Sequence, residues 1–260
     1  MRKRILIIPL FIIGVLIGWR WIDGHYTVPI MMYHRVDEEG KDRADTISPE
    51  RFRQHMEYLK VNGYQVIGLD ELVQGIKARQ KFPHNTVVIT FDDGYEDNFL
   101  YAFPILKEYR YPVTIFVCPD FIGKEIRGES FLSWEELEIM KNAGIFFGSH
   151  SMTHAYLPNM SVENMRYEVG ESKRILQEQL GVPIKYFAYP IGGFTRNTKN
   201  MLQKFGYEAA VTTNRGHDRF DHDIFEINRI RFGERDVSSF YMWAKLSGYN
   251  YLFRKLKAAN

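Results

Sequence analysis

Along the chain, short runs of uninterrupted apolar residues alternate with longer stretches in which apolar positions recur every three or four residues. Eight short runs read as strands: Val28–His34, Tyr64–Leu69, Thr86–Asp92, Val113–Pro119, Ile145–His150, Lys185–Pro190, Tyr207–Thr213 and Phe225–Phe232. They are continuous rather than alternating, as strands covered on both faces tend to be. The helical stretches carry start and stop signals. Ser48-Pro49-Glu50 opens one that Gly63 closes, and Ser133 with Glu136 has capping-box spacing ahead of Gly144. Ser161 opens a long helix to Leu180, closed by Gly181; Thr195 opens another that ends at Gly206, and Asp236 is expected to cap the last. Strands alternating with helices predict an α/β fold, a distorted (β/α) barrel of seven to eight strands. No low-complexity linker divides it, so residues 24–260 are expected to form one domain.

The first 23 residues break this pattern. Arg2, Lys3 and Arg4 precede an unbroken apolar run from Ile5 to Trp19, and Trp19, Arg20 and Trp21 follow as interfacial anchors. The run is short for a spanning helix, but no small-residue cleavage pattern follows it. This predicts an uncleaved signal anchor, single-pass, with the basic end cytoplasmic and the rest outside; a cleaved signal peptide exports the domain equally. The remaining composition narrows little. The chain is 45% hydrophobic and 25% charged with a formal net charge of +2, which gives no electrostatic footprint for nucleic acid. A single cysteine, Cys118, excludes an internal disulfide framework and a cysteine-rich metal site.

In a barrel of this kind the chemistry sits at the C-terminal strand ends. Titratable residues collect there: His34 after the first strand, Asp92-Asp93 after the third, His150 after the fifth, and Arg229 and Arg231 in the eighth. Tyr189-Pro190-Ile191-Gly192-Gly193 follows the sixth. Two adjacent carboxylates repel, and burying either unpaired is costly, so something at that strand end must favour negative charge. His150 and His154 are four residues apart, and a helical turn from Ser151 would let both imidazoles face one point. Two histidines and one carboxylate form the ligand set of a catalytic divalent cation with open positions. One aspartate would then bind the ion while the other takes a proton from water. Three rivals share parts of this pattern: a glycosidase using Asp92, a non-haem iron oxygenase, and a sugar-binding module of the same fold without turnover.

The stretches TFDDGY (Thr90–Tyr95), HSMTH (His150–His154) and FAYPIGG (Phe187–Gly193) resemble the first three motifs of the polysaccharide deacetylases, carbohydrate esterase family 4, also known as the NodB-homology domain. PIMMYHRV (Pro29–Val36) and NRIRF (Asn228–Phe232) are similar to the branch acting on exopolysaccharides such as poly-β-1,6-N-acetylglucosamine. The resemblance runs from Val28 to about Leu246. It implies metal-dependent hydrolysis of acetamides on N-acetylated polysaccharide. Asp92 matches the general base. Asp93, His150 and His154 match the ligands of a divalent metal ion, usually Zn²⁺, with Co²⁺, Mn²⁺ or Ni²⁺ as alternatives. The backbone N–H after the third-motif proline, here Ile191, matches the oxyanion donor, with Gly192 allowing close approach. Phe187 stands where the family has an arginine, so Arg229 or Arg231 is expected to supply the positive charge beside Asp92. The family's late leucine-x-histidine motif has no counterpart, which makes His34 the first candidate for general acid, ahead of His217 and His222. Tyr95, Tyr189, Pro190, Gly192 and Arg231 are the expected substrate contacts. Phe121, Trp134, Tyr156 and Phe194 are weaker candidates for stacking on sugar.

Overall fold

The computed structural model describes residues 26–39, 43–213 and 223–249. The predicted signal anchor, His217, His222 and the basic C-terminal tail from residue 250 lie outside them. Among the described residues no helix is long and apolar enough to cross a membrane.

All eight predicted strands form, each trimmed at its ends: β1 (Ile30–Tyr33), β2 (Gln65–Ile67), β3 (Thr86–Phe91), β4 (Val113–Val117), β5 (Phe146–Ser149), β6 (Tyr186–Ala188), β7 (Ala209–Thr212) and β8 (Ile227–Asn228 and Ile230–Arg231, interrupted at Arg229). Every pairing among them is parallel. The ring runs β1-β3-β4-β5-β6-β7-β8. Its closing strand pairs with β7 through Thr212↔Asn228 and with β1 through Met31↔Ile230, so one five-residue segment joins both edges. The result is a nearly closed seven-stranded barrel. β2 stands off the ring, paired only with the first half of β3.

The helices follow from local chemistry. α1 (Pro49–Val61) has Ser48 accepting from the Arg51 amide and proline in its first turn. α2 (Leu69–Lys77) has no side-chain cap, and α3 (Phe103–Tyr109) continues directly from a π-helical turn (Asn98–Ala102), so neither opens on a capping side chain. α4 (Trp134–Asn142) has the reciprocal Ser133–Glu136 capping box. The predicted helix to Leu180 forms as α5 (Val162–Arg166), a π-helical turn (Tyr167–Glu171) and α6 (Ser172–Leu180). α7 (Arg196–Lys204) is capped by Thr195, as expected. α8 (Ser239–Leu246) corrects the sequence expectation: Ser238 caps it, because Asp236 is turned back to accept from the Gly233 amide at 2.9 Å and to pair with Lys245 at 2.6 Å.

Period-two alternation splits the core. Met31, Ile89, Phe91, Ile115, Val117 and Phe187 face outward and pack under helices with Phe52, Leu106, Leu137 and Leu176. Ile30, Val88, Phe116, Ala188, Val211 and Ile227 fill the barrel interior. α2 closes the lower end, adding Leu69, Leu72 and Val73 to this cluster while Asp70 accepts from the Tyr186 hydroxyl at 2.6 Å. Above the plug the interior faces run Val88, Thr90, Asp92 on β3 and Gly148, His150 on β5. A Cβ at Gly148 would lie 2.5 Å from the Phe116 ring, so that step needs glycine.

Outside the ring, His55 on α1 is buried between the Tyr33 hydroxyl on Nδ1 (2.9 Å) and the Asp236 carbonyl on Nε2 (2.8 Å). A carbonyl only accepts, so Nε2 carries a proton, and in the neutral ring Nδ1 accepts from the Tyr33 hydroxyl. Burial pushes its pKa down to about 4. With the folded value below the unfolded one of about 6.5, the unfolded chain binds more protons between these limits, and stability falls as pH drops from about 6.5 towards 4. Urea titrations across this range should show the wild type losing up to about 1.4 kcal/mol per pH unit more than His55→Gln. Parallel pH dependences in the two proteins would refute this.

Candidate active site

The adjacency of two aspartates is resolved at the end of β3. Strand alternation alone would send Asp92 inward and Asp93 outward. The chain instead turns sharply: Asp93 and Gly94 both adopt left-handed conformations, with φ of 71° and 76°. Both carboxylates therefore reach the same cavity. Gly94 is required twice over, since a Cβ there would also lie 2.7 Å from Val117 Cγ1.

Asp92 is held by Arg229. The two form a bidentate pair, Nη1–Oδ1 and Nη2–Oδ2 both 2.6 Å, and the Arg229 side chain is 0% exposed. The guanidinium also donates from Nη1 to Thr90 Oγ1 at 3.3 Å and lies over the Phe116 ring, 5.3 Å from its centroid. Burial alone would raise the Asp92 pKa, but Arg229, helped by His150, outweighs it and holds the carboxyl below its usual range. The positive charge missing at Phe187 is thus supplied from the closing strand. Arg231, by contrast, is exposed at the cavity rim, and Glu226 pairs with Lys199 instead of either arginine.

Asp93, His150 and His154 converge. Asp93 Oδ1 lies 3.4 Å from Nε2 of each histidine, and the three candidate ligand atoms fall within 4.8 Å of one another. His150 Nδ1 donates to the Ala188 carbonyl at 2.8 Å, which turns its Nε2 towards Asp93. Asp93 Oδ1 is buried without a hydrogen bond. Burial and the neighbouring His150 depress the His154 pKa, keeping it neutral. Burial opposes ionisation of Asp93, but His150 outweighs it and holds the carboxyl well below the carboxylate range, while Asp92 and Asp93 in turn raise the His150 pKa against its own burial. An orphaned anionic oxygen facing two imidazole nitrogens fits a divalent cation. The connecting segment is not the helical turn expected from the sequence. Ser151 and His154 have φ of 65° and 57°, and the turn is shaped by hydrogen bonds to Glu168.

These groups line a cavity of about 470 Å³. His34 stands in its wall, its carbonyl fixed by the buried Asn98 side chain at 2.8 Å, and burial lowers its pKa against the pull of Asp92 and Asp93. Ile191 is 68% exposed at the rim, with φ of 58°, a strained conformation for a β-branched residue. Pro190 and Gly192 complete its turn, anchored by Thr212 Oγ1 donating to the Gly192 carbonyl at 2.8 Å. Tyr95 borders the cavity with its ring stacked on Phe131 and beneath Arg35. Tyr189 lies in the floor but is 1% exposed, with its hydroxyl donated to the Phe225 carbonyl and its ring stacked on Phe194, so it packs rather than offering a free face. Trp134 packs against the outer core, Phe121 against Phe131, and Tyr156 against Gly193. Sequence reasoning missed Asp45 and Thr213, which also line the cavity. Thr213 ends a predicted strand and was legible on that ground; Asp45 lies in an aperiodic loop and was not.

Residues 79–210, just over half the chain, match the polysaccharide deacetylase family. The chain belongs to that family. YxkH of Bacillus subtilis (strain 168), named for the same family, is 31% identical over 204 residues, which span 78% of this chain and 71% of that one. The poly-β-1,6-N-acetyl-D-glucosamine N-deacetylase of Staphylococcus aureus (strain MSSA476) is 29% identical over 189 residues, 65% of this chain and 64% of that one. Among solved structures, IcaB from Ammonifex degensii superposes with a TM-score of 0.76 at 26% identity, covering 85% of this chain and 97% of that one.

Removing Arg229 leaves a buried carboxylate without its counter-charge. In chemical denaturation, Arg229→Met should cost about 3–5 kcal/mol. Arg229→Lys should recover only part of this, because an ammonium cannot form the two-pronged pair. The double variant Arg229→Met/Asp92→Asn should be more stable than Arg229→Met alone.

Proposed function

We propose that this deacetylase is a metal-dependent hydrolase removing N-acetyl groups from a polymer of N-acetylglucosamine, β-1,6-linked as in the name of the Staphylococcus aureus relative. The observation that carries the reading is the convergence of Asp93, His150 and His154 beside a second, arginine-held aspartate at the cavity floor. A divalent cation held by those three residues supplies Lewis-acid chemistry, acidifying water and polarising a carbonyl oxygen.

The other steps fall to the chain itself. Asp92, ionised and fixed by Arg229, accepts the proton of the attacking water and directs the oxygen onto the acetyl carbon. A carboxylate held below its usual pKa is a weak base, which would suffice once a bound cation had acidified the water. The Ile191 N–H stabilises the oxyanion that develops. Its neighbours' amides are used inside the turn, Gly192 on the Tyr189 carbonyl at 2.8 Å and Gly193 on the Pro190 carbonyl at 3.2 Å. His34, also in the cavity wall, relays the proton taken up by Asp92 to the leaving amine, accepting it on one ring nitrogen as it donates from the other. Tyr95, Arg231 and the exposed Ile191 side chain contact the sugars at the rim. The product gains amines and hence positive charge. The basic-apolar N-terminal segment supports a location in the cell membrane by a single span with this domain outside the cytoplasm, or secretion where the segment is cleaved.

Acetate release from β-1,6-linked N-acetylglucosamine oligomers tests the reading. Activity should disappear on chelation and return with Zn²⁺ or Co²⁺. Asp92→Asn should lose about 10²–10⁴ in kcat. Full activity in chelator, or in Asp92→Asn, would refute the assignment.

A separate outcome is expected at Ile191. Glycine accepts its left-handed conformation without the steric cost, on the order of 1–2 kcal/mol, that an L-residue meets there. Ile191→Gly should therefore leave the melting temperature unchanged or higher. Because the proposed donor is backbone, turnover should fall well short of the roughly 100-fold loss that follows removal of an oxyanion donor.

A further inference from the structure

Glu168 has no part in the chemistry above, yet its carboxylate is only 4% exposed and aimed at the turn between the two histidines. Oε2 accepts the amides of Met152 at 2.9 Å and Thr153 at 3.0 Å, and Oε1 accepts the Thr153 hydroxyl at 2.7 Å. The two amides it holds lie between Ser151 and His154, the two residues of this turn in left-handed conformations. Neither is glycine, so the turn has no intrinsic preference for this shape. His150 is fixed independently, by its amide on the Val117 carbonyl at 2.9 Å and by Nδ1 on Ala188. Among the described residues His154 has no such pair of hydrogen bonds: its ring meets His150 edge-on at 4.9 Å and Asp93 at 3.4 Å, and its backbone is carried by the turn.

The support of Glu168 is rigid. It sits in the π-helical turn, a local widening frequent at functional sites. The residues next to it are tied to the barrel: the Tyr207 hydroxyl donates to the Val169 carbonyl at 3.0 Å, and Ser172 Oγ bonds Ser149 Oγ at 2.8 Å. Between them, a Cβ at Gly170 would lie 2.5 Å from the Phe205 ring, so the helix packs there at backbone distance.

We infer that Glu168 is a positioning residue for the metal site, setting His154 through the Met152–Thr153 turn while leaving His150 unaffected. The inference rests on the reading that Asp93, His150 and His154 hold a divalent cation. Calorimetric titration of Zn²⁺ into metal-stripped full-length protein separates the two. If the wild type binds no Zn²⁺, the metal reading itself fails. If it binds, Glu168→Ala should weaken affinity about 10–100-fold, as loss of an outer partner of a metal ligand does. Glu168→Gln keeps an oxygen for the amides, and the Thr153 hydroxyl can reverse to accept from its NH₂, so it should retain most of the affinity. Thr153→Val, which folds with one of the three bonds removed, should give a smaller loss than Glu168→Ala. A purely structural role is distinguished in a His154→Ala background, where Glu168→Ala should produce no further loss. Wild-type affinity in Glu168→Ala and Thr153→Val, or the same added loss with and without His154, would overturn the inference.

Discussion

The bidentate pair between Arg229 and Asp92 is the contact on which the remaining geometry depends. It forms inside the barrel at the strand that closes the ring, where the chain passes from pairing with β7 to pairing with β1. A buried ion pair is weak evidence of stabilisation, since the desolvation of two charges offsets much of their attraction. Its value here lies in specification. The arginine has one place to go, the carboxylate cannot rotate away, and barrel closure and the orientation of the proposed base become the same event. The Phe116 ring beneath the guanidinium and the glycine at position 148 beneath the ring show how tightly the interior is fitted around it.

Above that pair the site divides between two kinds of support. Asp92 and His150 continue interior strand faces, so rigid sheet pairing sets their directions. Asp93, His154 and Ile191 leave the strand path in left-handed conformations, with φ of 71°, 57° and 58°. Three non-glycine residues of this kind around one cavity mark strain concentrated at a functional site. Each is held by neighbours that offset it: Gly94 relieves the turn after Asp93, Glu168 grips the turn before His154, and Thr212 anchors the turn around Ile191.

Much of this was legible beforehand. Buried strands read as continuous apolar runs because both faces meet protein, and all eight appeared where those runs lie. Helices with side-chain caps at Ser48, Ser133, Ser161 and Thr195 were equally readable. α2 and α3 were not, because Gly68 contributes no capping side chain to α2 and α3 continues directly from a π-helical turn. Asp236 misled for the opposite reason: it has capping chemistry, but Gly233 and Lys245 engage it first. At the site, the strand-end rule located Asp92, Asp93, His150, Arg229 and the Ile191 turn. It was silent on Asp45, Asn98 and Glu168, which act from one loop and two π-helical turns.

Local sequence determined the periodicities, the strand ends and the set of ionisable residues gathered at one rim, because these depend on near neighbours and on which faces must be buried. Which arginine meets Asp92 was decided 137 residues away by the register of the closing strand. The turn between His150 and His154 is hydrogen-bonded to a carboxylate on a helical segment remote from both histidines' strand. Convergence of side chains from distant segments is a property of the closed barrel. No stretch of chain contains that information until pairing and packing bring the stretches together.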